Sequence, residues 1–497
     1  MIGKLLQHKF IVAEILIVIL AAGLRFHQIE TKMRFIWDEG RDMTAIYRIV
    51  ADKNVTLFGP FNEMNGSKDF FGVFHYYLMA PSLWLTDFDP IGPALFTAML
   101  GVVSVYLVFI LVEAWTDKQL ALLTSLFYAI SPLVIKYVQW PWNPNTTPFF
   151  GLLYFLLISF FYRQKKHTLL VNFLAGLVLG LLFQLHYFTV VLGLPWLLVL
   201  LYKRTPKLNP QKKLLVSLLF GLGFILPNLS FVIFDLTHQF FYWNIIQESF
   251  VGESSQKFIK FSLTNLLTMP FNFLRQTLRE LGLGLISSLM FVVVMIGFGY
   301  SSCRRFLSTN KIDLSILVFA TLVSFLMLTS FFPKLSDLYH MAYLWWGVLF
   351  VIFYESRLIL ARKHYLFFVV SLLLLVSVQS IQFINKPLEW SQNMPQIRSL
   401  SQLIVEDLEQ SPQPNFNIAT FTDADTRGMR YRYFLLKNGF EAAGVDQYAQ
   451  NQVIYIITPH DQQTTKENPA WEIESVQNAE WQMIGSQDSI SVYKAVK

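Results

Sequence analysis

Charged residues and cysteines are scarce in this sequence. Asp, Glu, Lys and Arg make up 14% of its 497 residues, whereas 54% of the residues are apolar and 16% are aromatic. Because soluble domains carry about 25% charged residues, this composition excludes a soluble globular protein and predicts an integral membrane protein. The single cysteine, Cys303, excludes an intrachain disulfide and a cysteine-rich zinc motif.

The net charge of +6 could indicate a nucleic-acid-binding protein. The Lys and Arg residues, however, fall between long apolar runs, which is typical of the loops of a polytopic membrane protein. We therefore expect the lipid bilayer, and no nucleic acid, as a partner of this chain.

Long apolar runs are abundant, and a membrane-spanning helix needs about 20 such residues. The sequence predicts an all-α polytopic membrane protein with about eleven transmembrane helices. They are expected at residues 10–27, 91–112, 119–137, 147–162, 169–186, 188–202, 213–235, 284–302, 313–332, 340–356 and 364–384.

The connecting segments predict the orientation of these helices. Segments 163–167, 202–213, 303–311 and 355–364 are short and basic, so they should be cytoplasmic. Alternation then puts 28–90, 138–146, 236–283, 333–339 and everything after 384 outside. The first apolar run could instead be a signal peptide, but Glu14 and the charges directly after the run favour an uncleaved span.

Two regions on the predicted outer side are large. Segment 28–90 contains VFHYYLMAPSLWL, which predicts a helix at the membrane interface. The chain therefore divides into a transmembrane domain, 1–384, and a small extracytoplasmic α/β domain, 385–497. The α/β domain contains the strand-like runs NFNIATF, QVIYIIT and SISVYKAV and the helical run DTRGMRYRYFLLKNG.

The first predicted outer segment begins with a carboxylate pair in the sequence RFIWDEGRD. Asp38 and Glu39 are adjacent, so on a helix they point about 100° apart and cannot face one substrate as a glycosidase pair would. One carboxylate held among aromatic residues could act as a general base. The alternative is an interfacial cluster in which the acidic residues only neutralise Arg34 and Arg41.

Other outer segments carry polar and aromatic residues that could face this carboxylate. Each one alone is more often a membrane-interface anchor or a packing residue. Their recurrence in several outer loops favours a shared substrate pocket, formed by His75, Tyr76, Trp142, Asn143, Asn145, His186, Tyr187, Tyr339 and His340.

The third outer segment contains the amphipathic run LTNLLTMPFNFLRQTLRELGLG. Its leucines recur at helical spacing, and Arg275 and Arg279 lie one turn apart on one face. We expect this helix to lie flat on the bilayer, with two guanidinium groups at the level of the lipid headgroups. Phosphate suits their fork geometry, and attraction to anionic lipid is the alternative.

These features together resemble the GT-C class of membrane glycosyltransferases, and in particular the protein O-mannosyltransferases and the lipid A aminoarabinose transferases. The resemblance is carried by WDEGRD, the GP…G…HYYLMAP stretch, the outer loop after the third span and LYHMAY. It implies transfer of a sugar from a polyprenyl-phosphate donor to an acceptor hydroxyl on the extracytoplasmic side of the cell membrane. The acceptor would be a lipid, a glycan or a protein.

The resemblance also implies roles for residues. Asp38 matches the family's essential carboxylate, which activates the acceptor or holds a metal, and Glu39 matches its neighbour. Lys68 lies in the loop that handles the donor phosphate in some relatives, and Arg275, Arg279, Tyr339 and His340 are further candidates for contacts with the donor. Many relatives have an acidic residue where this chain has Trp142-Asn143-Pro144-Asn145. No cofactor is therefore certain, and participation of a divalent metal stays open.

A flippase or transporter that uses the same cavity without chemistry is the competing function. Such a protein needs ionisable residues within its spans. The predicted spans contain few such residues, among them Glu14 and Lys136 near the ends of their spans, which favours the transferase.

Overall fold

The structure is a computed structural model that describes residues 2–64, 67–163, 167–202, 208–251, 263–283, 288–309, 311–331, 337–386, 392–413 and 415–497. Long helices dominate the first part of the chain, and a small mixed sheet with short helices forms the end. This agrees with the predicted all-α polytopic domain followed by a small α/β domain.

The membrane region contains most of the helices. They are α1 (Ile2–Phe26), α5 (Ile91–Trp115), α6 (Lys118–Ile130), α7 (Pro132–Val138), α8 (Thr147–Arg163), α9 (Thr168–Leu185), α10 (Gly193–Leu201), α11 (Pro210–Thr237), α12 (Phe241–Val251), α13 (Leu263–Leu278), α14 (Ser288–Thr309), α15 (Leu314–Phe331), α16 (Trp345–Ile359) and α17 (Arg362–Asn385). The first outer segment adds α2 (Ile29–Lys32), α3 (Trp37–Val50) and α4 (Phe74–Leu85).

Several of these helices are suited to crossing a membrane. Among the described residues, six are long and apolar enough, and a bent pair would make a seventh. The chain is therefore a multi-pass membrane protein, as predicted, and the total of eleven spans stays a prediction. The six are Ile91–Trp115, Asn143–Arg163, Thr168–Leu185, Pro210–Thr237, Leu338–Ile359 and Arg362–Asn385.

The predicted span 119–137 is broken into two helices. It consists of α6 and α7, which meet at an angle of 60°, because Pro132 has no N–H to continue the helix. The break leaves backbone carbonyl groups of α6 unpaired, which is unfavourable in an apolar surrounding. The buried Arg25 guanidinium donates to the carbonyls of Tyr128 (3.3 Å) and Ala129 (2.8 Å), and Ser380 donates to that of Ile130.

The orientation of the predicted amphipathic helix to the bilayer stays a prediction, and the structure adds where its apolar face packs. Helix α13 forms as predicted, but Leu274 and Leu278 are buried in the main helical core. Phe273 packs against Phe325 of α15 with ring centroids 5.1 Å apart. The apolar face of this half of α13 is therefore covered by protein, while Arg275 remains exposed.

The first outer segment contains a short hairpin that the sequence did not predict. Strands β1 (Phe61–Met64) and β2 (Ser67–Phe70) pair antiparallel, with Asn62 opposite Asp69. Each strand has only four residues, too few for a clear alternation of apolar and polar residues. The hairpin holds Asn62 and Asp69 side by side near the beginning of α3.

The C-terminal domain is built on a four-stranded sheet in the order β3-β4-β6-β5. Its strands are β3 (Phe416–Thr420), β4 (Val453–Thr458), β5 (Glu480–Gln487) and β6 (Ile490–Val496). The parallel neighbours β3 and β4 are buried throughout, as expected for parallel strands covered on both faces. The accompanying helices are α18 (Met394–Gln410), α19 (Met429–Lys437), α20 (Gln462–Lys466) and α21 (Trp471–Glu474).

The C-terminal domain and the first outer segment share one hydrophobic core. Met33, Phe35 and Met43 of the outer segment belong to the same buried cluster as Tyr433 and Phe434 of α19. The ring of Phe35 packs edge-on against those of Tyr433 and Phe434, at centroid distances of 6.2 and 5.9 Å. The two regions, which the sequence suggested as separate parts, therefore pack as one unit.

Candidate active site

The beginning of α3 is fixed by Glu39. Its Oε2 atom accepts a hydrogen bond from the backbone N–H of Ile36 at 2.9 Å, which caps the first turn. Its Oε1 atom accepts from Nε and Nη2 of Arg34 at 3.2 and 3.1 Å. Glu39 is fully buried, so both of its carboxylate oxygens serve to hold this turn.

Arg34 connects this turn to the second outer loop. Its guanidinium carbon lies 4.2 Å from the ring centroid of Trp140 and 4.7 Å from that of Trp142. Such cation–π contacts favour the charged guanidinium. This explains the two tryptophans of the WPWNPN loop, which a tight turn alone does not require.

Arg41 joins two carboxylates of α3. Its Nη1 atom lies 2.8 Å from Oδ1 of Asp38 and donates to the carbonyl oxygen of Phe61 at 2.9 Å. On the other side, Nη2 lies 2.8 Å from Oδ1 of Asp42, and Nε donates to the same oxygen at 2.9 Å. Asn62 completes the environment of Asp38 with an Nδ2···Oδ1 distance of 3.4 Å.

Behind Arg41 lies a buried polar layer. The Tyr76 hydroxyl donates to Oδ1 of Asp42 at 3.3 Å, and Nε2 of His75 lies 3.7 Å from Oδ2. Burial raises the pKa of Asp42, and the Arg41 guanidinium opposes that rise. Burial and the charge of Arg41 lower the pKa of His75 to about 3, so its imidazole is neutral at neutral pH.

A cavity opens in front of Asp38 and Arg41. It contains about 450 Å³ of space, counting the part that is open to solvent. Its walls are formed by segments 28–90 and 138–146, which were predicted to be outer, together with the residues that follow α9 and precede α16. The lining residues are Asp38, Arg41, Pro60, Phe61, Asn62, Asp69, Phe71, Trp142, Asn143, Pro144, His186 and Tyr339.

Aromatic contacts assemble one wall of the cavity. Tyr339 packs edge-on against Trp142 at a centroid distance of 4.6 Å and against His186 at 5.7 Å. The Nδ2 atom of Asn143 donates to the carbonyl oxygen of Leu185 at 2.8 Å, which ties the second outer loop to the end of α9. Short loops thereby gain fixed positions from their contacts with one another.

The wall is backed by a pair of histidines. The Nδ1 atom of His186 accepts from the backbone N–H of Phe188 at 3.4 Å, so a neutral His186 carries its proton on Nε2. That atom is 2.8 Å from Nδ1 of His340, which therefore accepts. Burial lowers the pKa of His186 to about 3, so this neutral arrangement persists through the physiological range.

The structure brings five of the predicted site residues into the cavity: Asp38, Trp142, Asn143, His186 and Tyr339. His75, Tyr76 and His340 are buried behind its walls. Asn145 is also buried and donates to the carbonyl oxygen of Trp140 at 3.2 Å. Tyr187 accepts from the N–H of Phe70 at 3.2 Å, so these last two residues support the neighbouring loops.

The cations expected at a donor phosphate do not line this cavity. Arg275 and Arg279 have exposed side chains, and neither lies among its described lining residues. Lys68 lies 3.8 Å from Glu248 of α12, while its neighbour Asp69 points to the cavity. Glu39, expected beside Asp38, is turned into the protein because adjacent helical residues point in different directions.

Arg41, Asn62 and Asp69 line the cavity but were not predicted as site residues. Arg41 follows Asp38 by three residues, so helical spacing alone would place both on one face. Asn62 and Asp69 reach the site through the pairing of β1 with β2, which no local pattern indicated.

Comparisons with known proteins support the resemblance. Residues 72–231, about a third of the chain, match the family described as dolichyl-phosphate-mannose-protein mannosyltransferase. ArnT from Cupriavidus metallidurans in the apo state is similar in structure, with a TM-score of 0.60 and 10% identity over 99% of this chain and 98% of that one. This chain resembles the GT-C glycosyltransferases.

Two further solved structures have a similar fold. One is ArnT from Cupriavidus metallidurans bound to undecaprenyl phosphate, with a TM-score of 0.59, 11% identity and coverage of 97% of both chains. The other is the oligosaccharyltransferase of Archaeoglobus fulgidus in complex with Zn and sulfate, with a TM-score of 0.52 and 11% identity over 90% of this chain and 67% of that one. No curated protein matches the sequence.

Participation of a divalent metal stays open, since one of the similar structures contains Zn, and the described residues show which ligands are at hand. Among them, no three His, Cys, Asp or Glu side chains are grouped to hold a metal ion. Asp38 is already paired with Arg41, and the second outer loop offers Asn143 to the cavity where many relatives have a carboxylate. No step proposed below passes through a metal.

Proposed function

We propose that this protein is a membrane glycosyltransferase that moves a sugar from a polyprenyl-phosphate donor to an acceptor hydroxyl. The observation that carries the proposal is that Asp38 and Arg41 line one cavity and touch each other there. A carboxylate can accept a proton, and a guanidinium stabilises a phosphate oxyanion. Sugar transfer from a lipid phosphate needs both groups at one site.

Asp38 acts as the base in this reaction. The acceptor oxygen attacks the anomeric carbon of the sugar while its proton passes to Asp38. The bond between the anomeric carbon and the phosphate oxygen breaks, and its electron pair leaves with the polyprenyl phosphate. Because the two oxygens are on opposite sides of the carbon, a direct displacement of this kind inverts the anomeric centre.

Arg41 acts on both the base and the leaving phosphate. It orients the Asp38 carboxylate at 2.8 Å, and it is the only Lys or Arg among the described residues that line the cavity. Negative charge develops on the phosphate as the lipid carrier leaves, so a preorganised cation at this position lowers the barrier. Lys68, Arg275 and Arg279 then lie outside the cavity and do not contact the leaving phosphate.

The reaction takes place on the extracytoplasmic side. The short connectors rich in Lys and Arg support a cytoplasmic position for the opposite ends of the helices. A lipid-linked donor keeps its polyprenyl chain in the bilayer, and its sugar then lies at the level of the outer loops. The likeness to a structure with bound undecaprenyl phosphate supports such a carrier.

The test uses the purified protein in lipid nanodiscs. A panel of radiolabelled undecaprenyl-phosphate sugars is incubated with membrane glycolipid, glycan and peptide acceptors, and released undecaprenyl phosphate is measured together with labelled acceptor. We expect stoichiometric release and transfer by the wild type and their loss in Asp38→Asn. Equal release by both proteins would overturn the proposal, as would movement of intact donor across the bilayer, without any release, when the same protein is placed in sealed vesicles.

A further inference from the structure

We infer that the C-terminal domain positions the catalytic helix α3, through contacts of Gly40 and Phe35 with Arg430. This inference rests on the proposed function, because it concerns the helix that carries Asp38 and Arg41. Arg430 itself lies on α19 and is not among the residues that line the cavity. It is therefore a positioning residue that acts through α3.

The first contact joins the two helices through their backbones. A β-carbon at Gly40 would lie 2.5 Å from the backbone nitrogen of Arg430 and 2.6 Å from its α-carbon. It would also lie 2.6 Å from the carbonyl carbon of Met429. Because all three are backbone atoms, no side chain can move aside to relieve the overlap. The absence of a side chain at Gly40 allows α3 and α19 to approach this closely.

The second contact ties Arg430 to the residue before the helix. Its Nη1 atom donates to the carbonyl oxygen of Phe35 at 3.5 Å. Its Nη2 atom donates to Oγ1 of Thr422 at 2.6 Å and to Oε1 of Gln392 at 2.5 Å. The guanidinium is buried, so it holds the start of α3 and two segments of the C-terminal domain in one arrangement.

These contacts flank the reacting groups in sequence. Phe35 precedes Asp38 by three residues, and Gly40 lies between Asp38 and Arg41 on the first turns of α3. Displacement of a reacting group by about 1 Å can reduce a rate about 100-fold. The ion pair of Arg48 with Glu441 at 2.5 Å lies at the far end of the helix. The Arg430 contacts, together with the packing of Phe35 against Tyr433 and Phe434, lie at its start and hold the turn that carries Asp38.

The first test is Gly40→Ala, with Gly221→Ala as the matched control. Both glycines are helical, and alanine has the higher helix propensity by about 1 kcal/mol. A β-carbon at Gly221 meets open space. We expect kcat at saturating donor and acceptor to fall at least tenfold in Gly40→Ala and to stay within twofold in Gly221→Ala. Wild-type kcat in Gly40→Ala would overturn the inference.

The second test is Arg430→Lys, which keeps the charge and loses the fork geometry. Its control is Ile456→Val on the other face of the C-terminal sheet, in a separate buried cluster. Hydrogen exchange of the amides of residues 38–46 is measured together with kcat and Tm. We expect about tenfold faster exchange and a lower kcat in Arg430→Lys. Ile456→Val should lower Tm without either effect.

The two tests separate positioning from general stability and from the proposed function. If kcat follows Tm equally in Arg430→Lys and Ile456→Val, the domain only stabilises the protein and the inference is wrong. If the wild type transfers no sugar, the proposed function fails, and the exchange of residues 38–46 still decides whether Arg430 holds α3. Unchanged exchange in Arg430→Lys would then refute the inference by itself.

Discussion

The Nη1 atom of Arg41 lies 2.8 Å from an Oδ1 atom of Asp38, one turn earlier on the same helix. This pair lies at the wall of a cavity, so the carboxylate is held in place while it remains accessible. On the proposed mechanism, one side chain takes the acceptor's proton and the other stabilises the departing phosphate. Substitutions on and around this pair should therefore have distinguishable effects.

Asp38→Asn should lower kcat about 10²- to 10⁴-fold, because the amide cannot accept the acceptor's proton. Expression and Tm should stay close to those of the wild type. The control is Asp52→Asn, since Asp52 is exposed in the same outer segment. Release of radiolabelled carrier phosphate is the measurement, and full activity in Asp38→Asn would remove the base assignment.

Arg41→Lys should lower kcat about 10- to 100-fold. A single ammonium cannot reach Asp38, Asp42 and the carbonyl of Phe61 together, as the guanidinium does. Arg275→Ala is the comparison, because that side chain is exposed and away from the described cavity. It should keep kcat and the donor KM within twofold. If the donor KM rises in Arg275→Ala and not in Arg41→Lys, the donor phosphate binds near α13 instead.

Glu39→Ala should act mainly on stability. Its removal takes away the carboxylate that pairs with Arg34 and leaves the N–H of Ile36 uncapped, and breaking a buried ion pair lowers the free energy of unfolding by about 3–5 kcal/mol. Scanning fluorimetry should show a clearly reduced Tm.

Glu113→Ala is the control for this stability effect, because its ion pair with Lys118 at 3.6 Å is partly exposed and should contribute under about 1 kcal/mol. An unchanged Tm in Glu39→Ala, combined with an activity loss as large as that of Asp38→Asn, would assign Glu39 a catalytic role.

Asp423 should make stability depend on pH. Burial raises the pKa of this carboxyl to about 6, against the opposing charge of Arg430. Folding then favours the protonated form, so the folded protein keeps a proton that the unfolded chain loses above about pH 4. The contribution of Asp423 to stability should fall by about 1–3 kcal/mol between about pH 4 and 6 and stay level above that range.

The variant Asp423→Asn should remove this contribution, so its Tm should change less than that of the wild type across the same pH range. The exposed Asp446→Asn serves as the control. Parallel pH profiles for wild type and Asp423→Asn would contradict the prediction.

Much of the fold follows from local patterns in the sequence. The apolar runs predict the long helices, and the strand-like runs NFNIATF, QVIYIIT and SISVYKAV predict three of the four strands of the C-terminal sheet. Strand β5 was missed because its sequence, EWQMIGSQ, is mostly polar and its burial pattern is irregular around the bulge at Met483 and Gly485.

The candidate site was likewise predicted only in part from the sequence. Asp38, Trp142, Asn143, His186 and Tyr339 could be selected because polar and aromatic residues recur at the same predicted depth. The sequence could not show that Lys68, Arg275 and Arg279 lie outside the described cavity. A charged residue in a loop can pair with many different neighbours. Lys68 is near Glu248 of α12, a contact between segments far apart in the chain.

The sequence by itself determined a helical membrane protein with a carboxylate-bearing outer segment, because composition and periodicity report how much apolar surface each segment must bury. Tertiary structure decided that the C-terminal domain packs onto α3 and that Arg41 faces the cavity with Asp38. The contact between Gly40 and Arg430 joins residues almost 400 positions apart. Such contacts depend on the complementary shapes of surfaces that exist only after both segments have folded.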